Sequence, residues 1–271
     1  MNNPKISIVT VVYNNVSTVA RTIEDTLQQT YQNLEYVVVD GASTDGTINV
    51  IKQYNDRLQW ISEPDHGIYD AMMKGVLMAS GEWVLFRNVG DFFYTDTCIE
   101  EVFSRYEDNG EDFIACDIRF FRKGYYKDAK PEILNKDKFA AMPFFHPSTF
   151  IRRKTQLKYP FNLRYKNCAD YDFFLHCLRD GATYKYIDIT LSLFDCNVGA
   201  SVDHGDRRLL ENIEILKSYG APYKYIDYRI RSLQKLKRNQ KYNRFILYRW
   251  LYEWNFVRSG KWIKFKNEII M

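Results

Sequence analysis

Several carboxylates in this 271-residue chain stand just after apolar runs, where a folded protein could present them to a ligand. Asp91 closes the turn Asn88-Val89-Gly90-Asp91, after a run too apolar to carry charge for structural reasons. A carboxylate there suits Mg2+ or Mn2+, hard ions that bridge a diphosphate while keeping most of their waters; the plain alternative is a turn aspartate. Asp40 opens Asp40-Gly41-Ala42-Ser43-Thr44-Asp45-Gly46. Its two glycines permit tight turns and close backbone approach, and Asp40 is placed to accept from a base or ribose donor. The alternative is an ordinary strand-to-helix turn with Ser43 or Thr44 as helix cap. Asp170 and Asp172 open a predicted helix. Either could act as general base for a hydroxyl, or simply complement the helix N-terminus. His66 and His146 sit in polar loop contexts without metal-site spacing, which argues against zinc. The glycines fit neither a dinucleotide fingerprint nor a P-loop.

The elements that must position these groups follow from periodicity. Residues 5–13 and 34–39 read as buried strands, 59–62 as a short third and 82–86 as a fourth. Residues 17–29, 47–55 and 68–80 read as the helices between them, the first capped by Ser17 or Thr18. Such alternation implies a mostly parallel sheet covered on both faces, with ligands bound at the carboxyl ends of its strands. The polar clusters fall at four such ends: Tyr13-Asn14, Asp40-Gly41, Glu63-Pro64-Asp65-His66 and Asn88 to Asp91. Beyond residue 101 the pattern blurs, with strands expected at 113–121 and 183–194 and helices at 169–179, 206–219 and much of 223–257.

Charge divides the chain. Residues 207–271 carry 16 Lys/Arg and 5 Asp/Glu, a net of +11, against −7 for the remainder. The expected organisation is a mildly acidic body at 1–206, with halves at 1–100 and 101–206, followed by a basic, aromatic, helical tail at 207–271. A nucleic-acid binder would explain the tail but not the acidic body. Five cysteines without CxxC spacing read as reduced, mostly buried thiols. No signal peptide and no run of about 18 apolar residues is visible, so a cytoplasmic protein is expected.

The separate signals match one family. The chain resembles the family 2 glycosyltransferases, inverting enzymes of the GT-A fold, through Ile8 to Asn14, Tyr36 to Thr47, Glu63 to Met72, Gly81 to Val84 and Asn88 to Asp91. His146-Pro147-Ser148-Thr149-Phe150 and Ala169-Asp170-Tyr171-Asp172-Phe173 fit the acceptor-side half. The ordered set is most similar to the bacterial subgroup that builds surface polysaccharides, including colanic-acid-type enzymes. The resemblance implies an α/β GT-A fold, with a Rossmann-like central sheet flanked by helices and a helical C-terminal extension. It implies that Thr10, Tyr13 and Asn14 lie by the nucleotide base and that Asp40 binds it. Asp45, His66, Asp70 and Asn88 would line the donor site, Asp91 would hold the metal, and Asp170 would be the base. His146, Asp172 and Ser201 would lie on the acceptor side. Asn88 and Gly90 stand where many members carry acids, which leaves Asp91 as the sole carboxylate of its motif.

The implied reaction is a single displacement from a nucleotide sugar, with UDP the family's default, onto a hydroxyl of a saccharide or lipid-linked saccharide, aided by Mn2+ or Mg2+. A catalytically silent nucleotide-sugar-binding protein is the rival, supported by the reduced acidic motif. A nucleotidyltransferase would need a glycine-rich basic loop, and residues 10–20 contain no Gly, Lys or Arg. In the tail, Trp250, Trp254 and Trp262 lie among Lys and Arg, a composition suited to an anionic membrane surface. The tail is therefore expected either to dock the enzyme on the inner face of the plasma membrane or to pack on the body.

Overall fold

Strict alternation of side chains sorts the first strands onto two cores. The computed structural model describes residues 3–122, 124–135, 139, 142–196, 205–242 and 263–264. Strand β1 (Ile6–Val12) is buried at every position. It pairs in parallel with β2 (Leu34–Asp40), and β2 with β3 (Gln59–Ser62). On its other side β1 pairs in parallel with β4 (Trp83–Phe86). Val9, Val11, Val37, Val39, Val84 and Phe86 face one cluster, closed by helices α3 (Ile68–Met78) and α6 (Ala169–Arg179). Ile6, Ile8, Tyr36, Val38, Trp83 and Leu85 face the other, under α1 (Val19–Leu27) and α4 (Cys98–Arg105). The first helix starts at Thr18, as expected, but without a side-chain cap bond. The short helix α2 (Thr47–Ile51) starts from Gly46, not from Ser43 or Thr44.

Beyond β4 the sheet turns antiparallel. The path runs β10-β7-β6-β8-β4-β1-β2-β3, where β6 is Phe113–Arg122, β7 Tyr125–Ala129, β8 Thr149–Arg152 and β10 Ile263–Lys264. A long strand, β9 (Tyr184–Asp195), runs parallel to β6 and pairs antiparallel with β5 (Asp91–Phe93). Helix α5 (Arg153–Lys158) follows β8 directly. The strands expected at 113–121 and 183–194 are thus β6 and β9, and β5, β7 and β8 join them.

Helices α7 (Gly205–Ser218) and α8 (Tyr223–Tyr242) form the described part of the basic segment. Ile215, Leu216, Ala221 and Ile226 enter the same core cluster as α3 and α6, so this part is packed on the body. The tryptophans at 250, 254 and 262 lie outside the described residues. Among the described residues no helix is long and apolar enough to cross a membrane, and the five cysteines are free thiols.

Candidate active site

Register brings the ends of β1, β2 and β3 to one sheet edge: Val12 lies opposite Asp40, and Asp40 opposite Ser62. The Asp40 carboxylate is fully buried, and its Oδ2 accepts from the Ser62 hydroxyl at 2.6 Å and the Ser43 amide at 2.9 Å. Its Oδ1 has no partner among the described residues, a buried acceptor in reserve for an N–H or O–H of a ligand. Asn14, at φ 46°, ties the neighbouring turn down: its amide donates to Ser43 Oγ at 2.7 Å and its Oδ1 accepts from Thr44 N at 2.8 Å. Tyr13 stands beside it, 65% exposed, a ring free to stack on a planar group. Asp45 accepts from the Thr47 hydroxyl and amide and from Val16 N, and the Thr47 hydrogen bond leads in holding its carboxyl below the usual range. The backbone of Gly41 approaches Asp65 closely: a Cβ there would lie 2.5 Å from Asp65 Oδ2, so one of the two would have to shift.

Past β3, Asp70 Oδ2 accepts from the His66 amide at 2.9 Å and faces the His66 ring at 3.2 Å. The amide bond leads in lowering its pKa, with Lys74 adding to the effect. Lys166, in the segment just before α6, donates to the His66 carbonyl at 2.9 Å. A shallow groove lies here, lined by His66, Asp70, Tyr165 and Lys166 among others.

The centre of the site joins α3, α6 and the His146 turn. Asp170, near the start of α6, is buried. Its Oδ1 accepts from the Tyr69 hydroxyl of α3 at 2.9 Å and from the Tyr171 amide at 2.9 Å. Its Oδ2 lies 3.0 Å from His146 Nδ1. Burial and the Asp170 charge keep the Tyr69 phenol protonated, well above its ordinary pKa. The other nitrogen of His146, Nε2, is 3.4 Å from Asn88 Nδ2. Burial opposes charging of His146, but the Asp170 hydrogen bond and charge, with the Asp91 charge, outweigh it and raise its pKa. Asp91 starts β5, its amide donating to the Asn88 carbonyl at 3.0 Å. Burial pushes the Asp91 carboxyl up, against the charges of His146 and Arg87. A carboxylate–imidazole pair of this kind can take a proton from a hydroxyl.

Two expected residues are placed elsewhere. Thr10 is fully buried, its hydroxyl donating to the Arg87 carbonyl at 2.6 Å, so it anchors the end of β4 beneath the site instead of facing a ligand. Asp172 turns to another side of α6, where its Oδ2 accepts from Asn162 at 3.4 Å. Ser201 lies outside the described residues. Sequence reasoning passed over Tyr69, Lys166 and Arg87. Only Arg87 carried a signal, as a charge at the end of a wholly apolar strand.

The parallel strand-end site and the mixed sheet beside it define the GT-A class of α/β fold. The mannosyltransferase PcManGT of Pyrobaculum calidifontis, solved with GDP-Man and Mn2+, superposes with a TM-score of 0.63 at 16% identity, over 86% of this chain and 70% of that one. TarS of S. aureus, residues 1–349 with UDP, gives 0.62 at 16% identity, over 79% and 65% of the two chains. In sequence, a PGL/p-HBAD biosynthesis glycosyltransferase of Mycobacterium bovis is 27% identical over 231 residues, covering 81% of this chain and 88% of that protein. The model of glycosyl transferase family 2 matches residues 7–175, and the chain belongs to that family. It is a glycosyltransferase.

Proposed function

We propose that the enzyme moves a sugar from a nucleotide sugar, a UDP-sugar by the family's default, to a hydroxyl of a saccharide or lipid-linked saccharide, with inversion, in bacterial polysaccharide synthesis of the colanic-acid type. The observation that carries this reading is the His146 bridge, with Nδ1 at 3.0 Å from Asp170 and Nε2 at 3.4 Å from Asn88, three residues before Asp91. It sets a proton-accepting carboxylate beside the turn expected to face the donor's diphosphate. Tyr13, Asn14 and Asp40 hold the nucleotide, Asp40 through its spare Oδ1. Asp45 fixes the loop that carries Asn14, and His66 with Asp70 borders the donor sugar. Thr10 supports these groups from below.

Among the described residues no three His, Cys, Asp or Glu side chains group to cage a metal. Asp91 and the partnerless Oδ1 of Asn88 are nonetheless hard oxygen donors on one turn, which fits an ion that takes its other ligands from a diphosphate and water. Mn2+ or Mg2+ bound there would supply positive charge for the leaving diphosphate. Asp170 removes the acceptor hydroxyl's proton as the oxygen attacks, and the Tyr69 and Tyr171 donors keep its carboxylate oriented. Nucleoside diphosphate release across a panel of nucleotide sugars and oligosaccharide acceptors, with the product's anomeric configuration read by NMR, tests the reading. Retention of configuration would overturn it.

We also propose that α8 docks the enzyme on an anionic lipid surface. Lys224, Tyr228, Arg231, Lys235 and Arg238 recur at three- and four-residue spacing on its exposed side, while Ile226 and Leu233 are buried on the other. Basic residues with exposed tyrosines suit the headgroup zone.

A further inference from the structure

We propose that Arg87 is a positioning residue for the transfer, whose guanidinium, acting through Ser192, holds the Asp91 turn and the His146 turn at one fixed separation. This rests on the roles proposed above for those two turns. Arg87 directly follows β4 and is fully buried. Its Nη1 donates to the carbonyl of Phe92, the residue after Asp91, at 3.1 Å. The same nitrogen donates to Ser192 Oγ of β9 at 3.0 Å. Ser192 in turn donates to the carbonyl of Pro147, the residue after His146. The chain of contacts therefore begins one residue from Asp91 and ends one residue from His146. The guanidinium also lies 3.8 Å from the Phe93 ring centroid, and its backbone carbonyl takes the Thr10 hydroxyl.

A role in stability alone explains this poorly. Burying a guanidinium costs several kcal/mol, and an apolar side chain of similar volume usually serves a core as well or better. The charges of Asp91 and Asp25 offset part of that cost. Yet Nε and Nη2 have no hydrogen-bond partner among the described residues. What the arginine supplies, and an apolar residue could not, is a directed tie between β5, β9 and the His146 turn. Two donors in one plane fix distance and angle together.

The test compares Ser192→Ala, Arg87→Met and the double variant with the wild-type enzyme, using transfer rate at saturating substrates, donor affinity by titration calorimetry, and melting temperature. Ser192→Ala is expected to slow transfer about tenfold and Arg87→Met about 10²-fold, the scale of a reactive group displaced by an ångström. Donor affinity measured without divalent metal should stay within about twofold, because Tyr13, Asn14 and Asp40 are untouched, and the double variant should be no slower than Arg87→Met, because the chain is already broken. Should Arg87→Met not fold, Ser192→Ala decides alone. Wild-type transfer rates per folded molecule in Ser192→Ala, or independent multiplying losses in the double variant, would overturn the proposal. Absence of transfer by the wild-type enzyme from every nucleotide sugar would instead overturn the function, and the proposal with it.

Discussion

His146 Nδ1 stands 3.0 Å from Asp170 Oδ2, although 24 residues separate them in the chain. The imidazole reaches both the helix that carries Asp170 and the turn that leads to Asp91. The proposed base is therefore held from three directions, by His146, by Tyr69 and by its own helix amide.

Asp170→Asn is expected to lower kcat by about 10² to 10⁴, the usual contribution of a general base, with donor affinity nearly unchanged. Asp172→Asn, on another side of α6, should keep near-normal turnover. Steady-state kinetics on both variants check the assignment, and the reverse pattern would transfer the role to Asp172.

Asp40→Ala should weaken nucleotide binding itself, with or without metal. It removes the buried spare acceptor and also strands Ser62 and the Ser43 amide. Loss of a hydrogen bond to a charged group is worth about 1.5–3 kcal/mol, or roughly ten- to 150-fold in UDP affinity by calorimetry. Unchanged affinity would return this loop to the role of an ordinary strand-to-helix turn.

Gly41→Ala should cost donor affinity without touching the proposed base. The new Cβ would meet Asp65 Oδ2 at 2.5 Å, so either Asp65 or the Asp40 loop must move. An affinity equal to wild type, with unaltered melting temperature, would mean that Asp65 yields freely.

Sedimentation with vesicles tests the proposed surface of α8. Binding to anionic vesicles at low salt, lost at high salt and absent with neutral lipid, is expected, since each basic residue near such a surface adds about 1 kcal/mol. Lys235→Glu with Arg238→Glu should abolish it without loss of transfer to a soluble acceptor. Equal recovery of wild type and variant would leave α8 as a solvated face.

The donor half was legible because its signals are local. β1, β2 and β4 are mostly apolar and β-branched or aromatic, each followed by a polar turn, and parallel pairing forces those turns to one edge. The acceptor half was less so. β7 is mostly polar, Tyr125-Tyr126-Lys127-Asp128-Ala129, and β8 ends in Arg152, whose charge is held in place by Glu82 and Asp108. The first lacks the apolar signature of a strand, and the second is only four residues long. The motifs named Asp170 and His146 separately, but not their pairing or the Tyr69 bond across 101 residues. Such contacts depend on how α3 and α6 meet over the sheet. Arg87 was passed over for a related reason: its partners are a carbonyl on β5 and a serine 105 positions away.

The most direct test of the central claim is thermal stabilisation of wild type and Asp91→Ala by a panel of nucleotide sugars, with and without Mn2+. A ligand at 100 times its Kd stabilises the fold by about 2.7 kcal/mol, a shift of several degrees in a chain of this size. The account predicts that one nucleotide sugar raises the wild-type Tm, that Mn2+ increases the shift, and that Asp91→Ala keeps the first effect and loses the second. No shift with any nucleotide sugar, or an undiminished Mn2+ effect in Asp91→Ala, would contradict it.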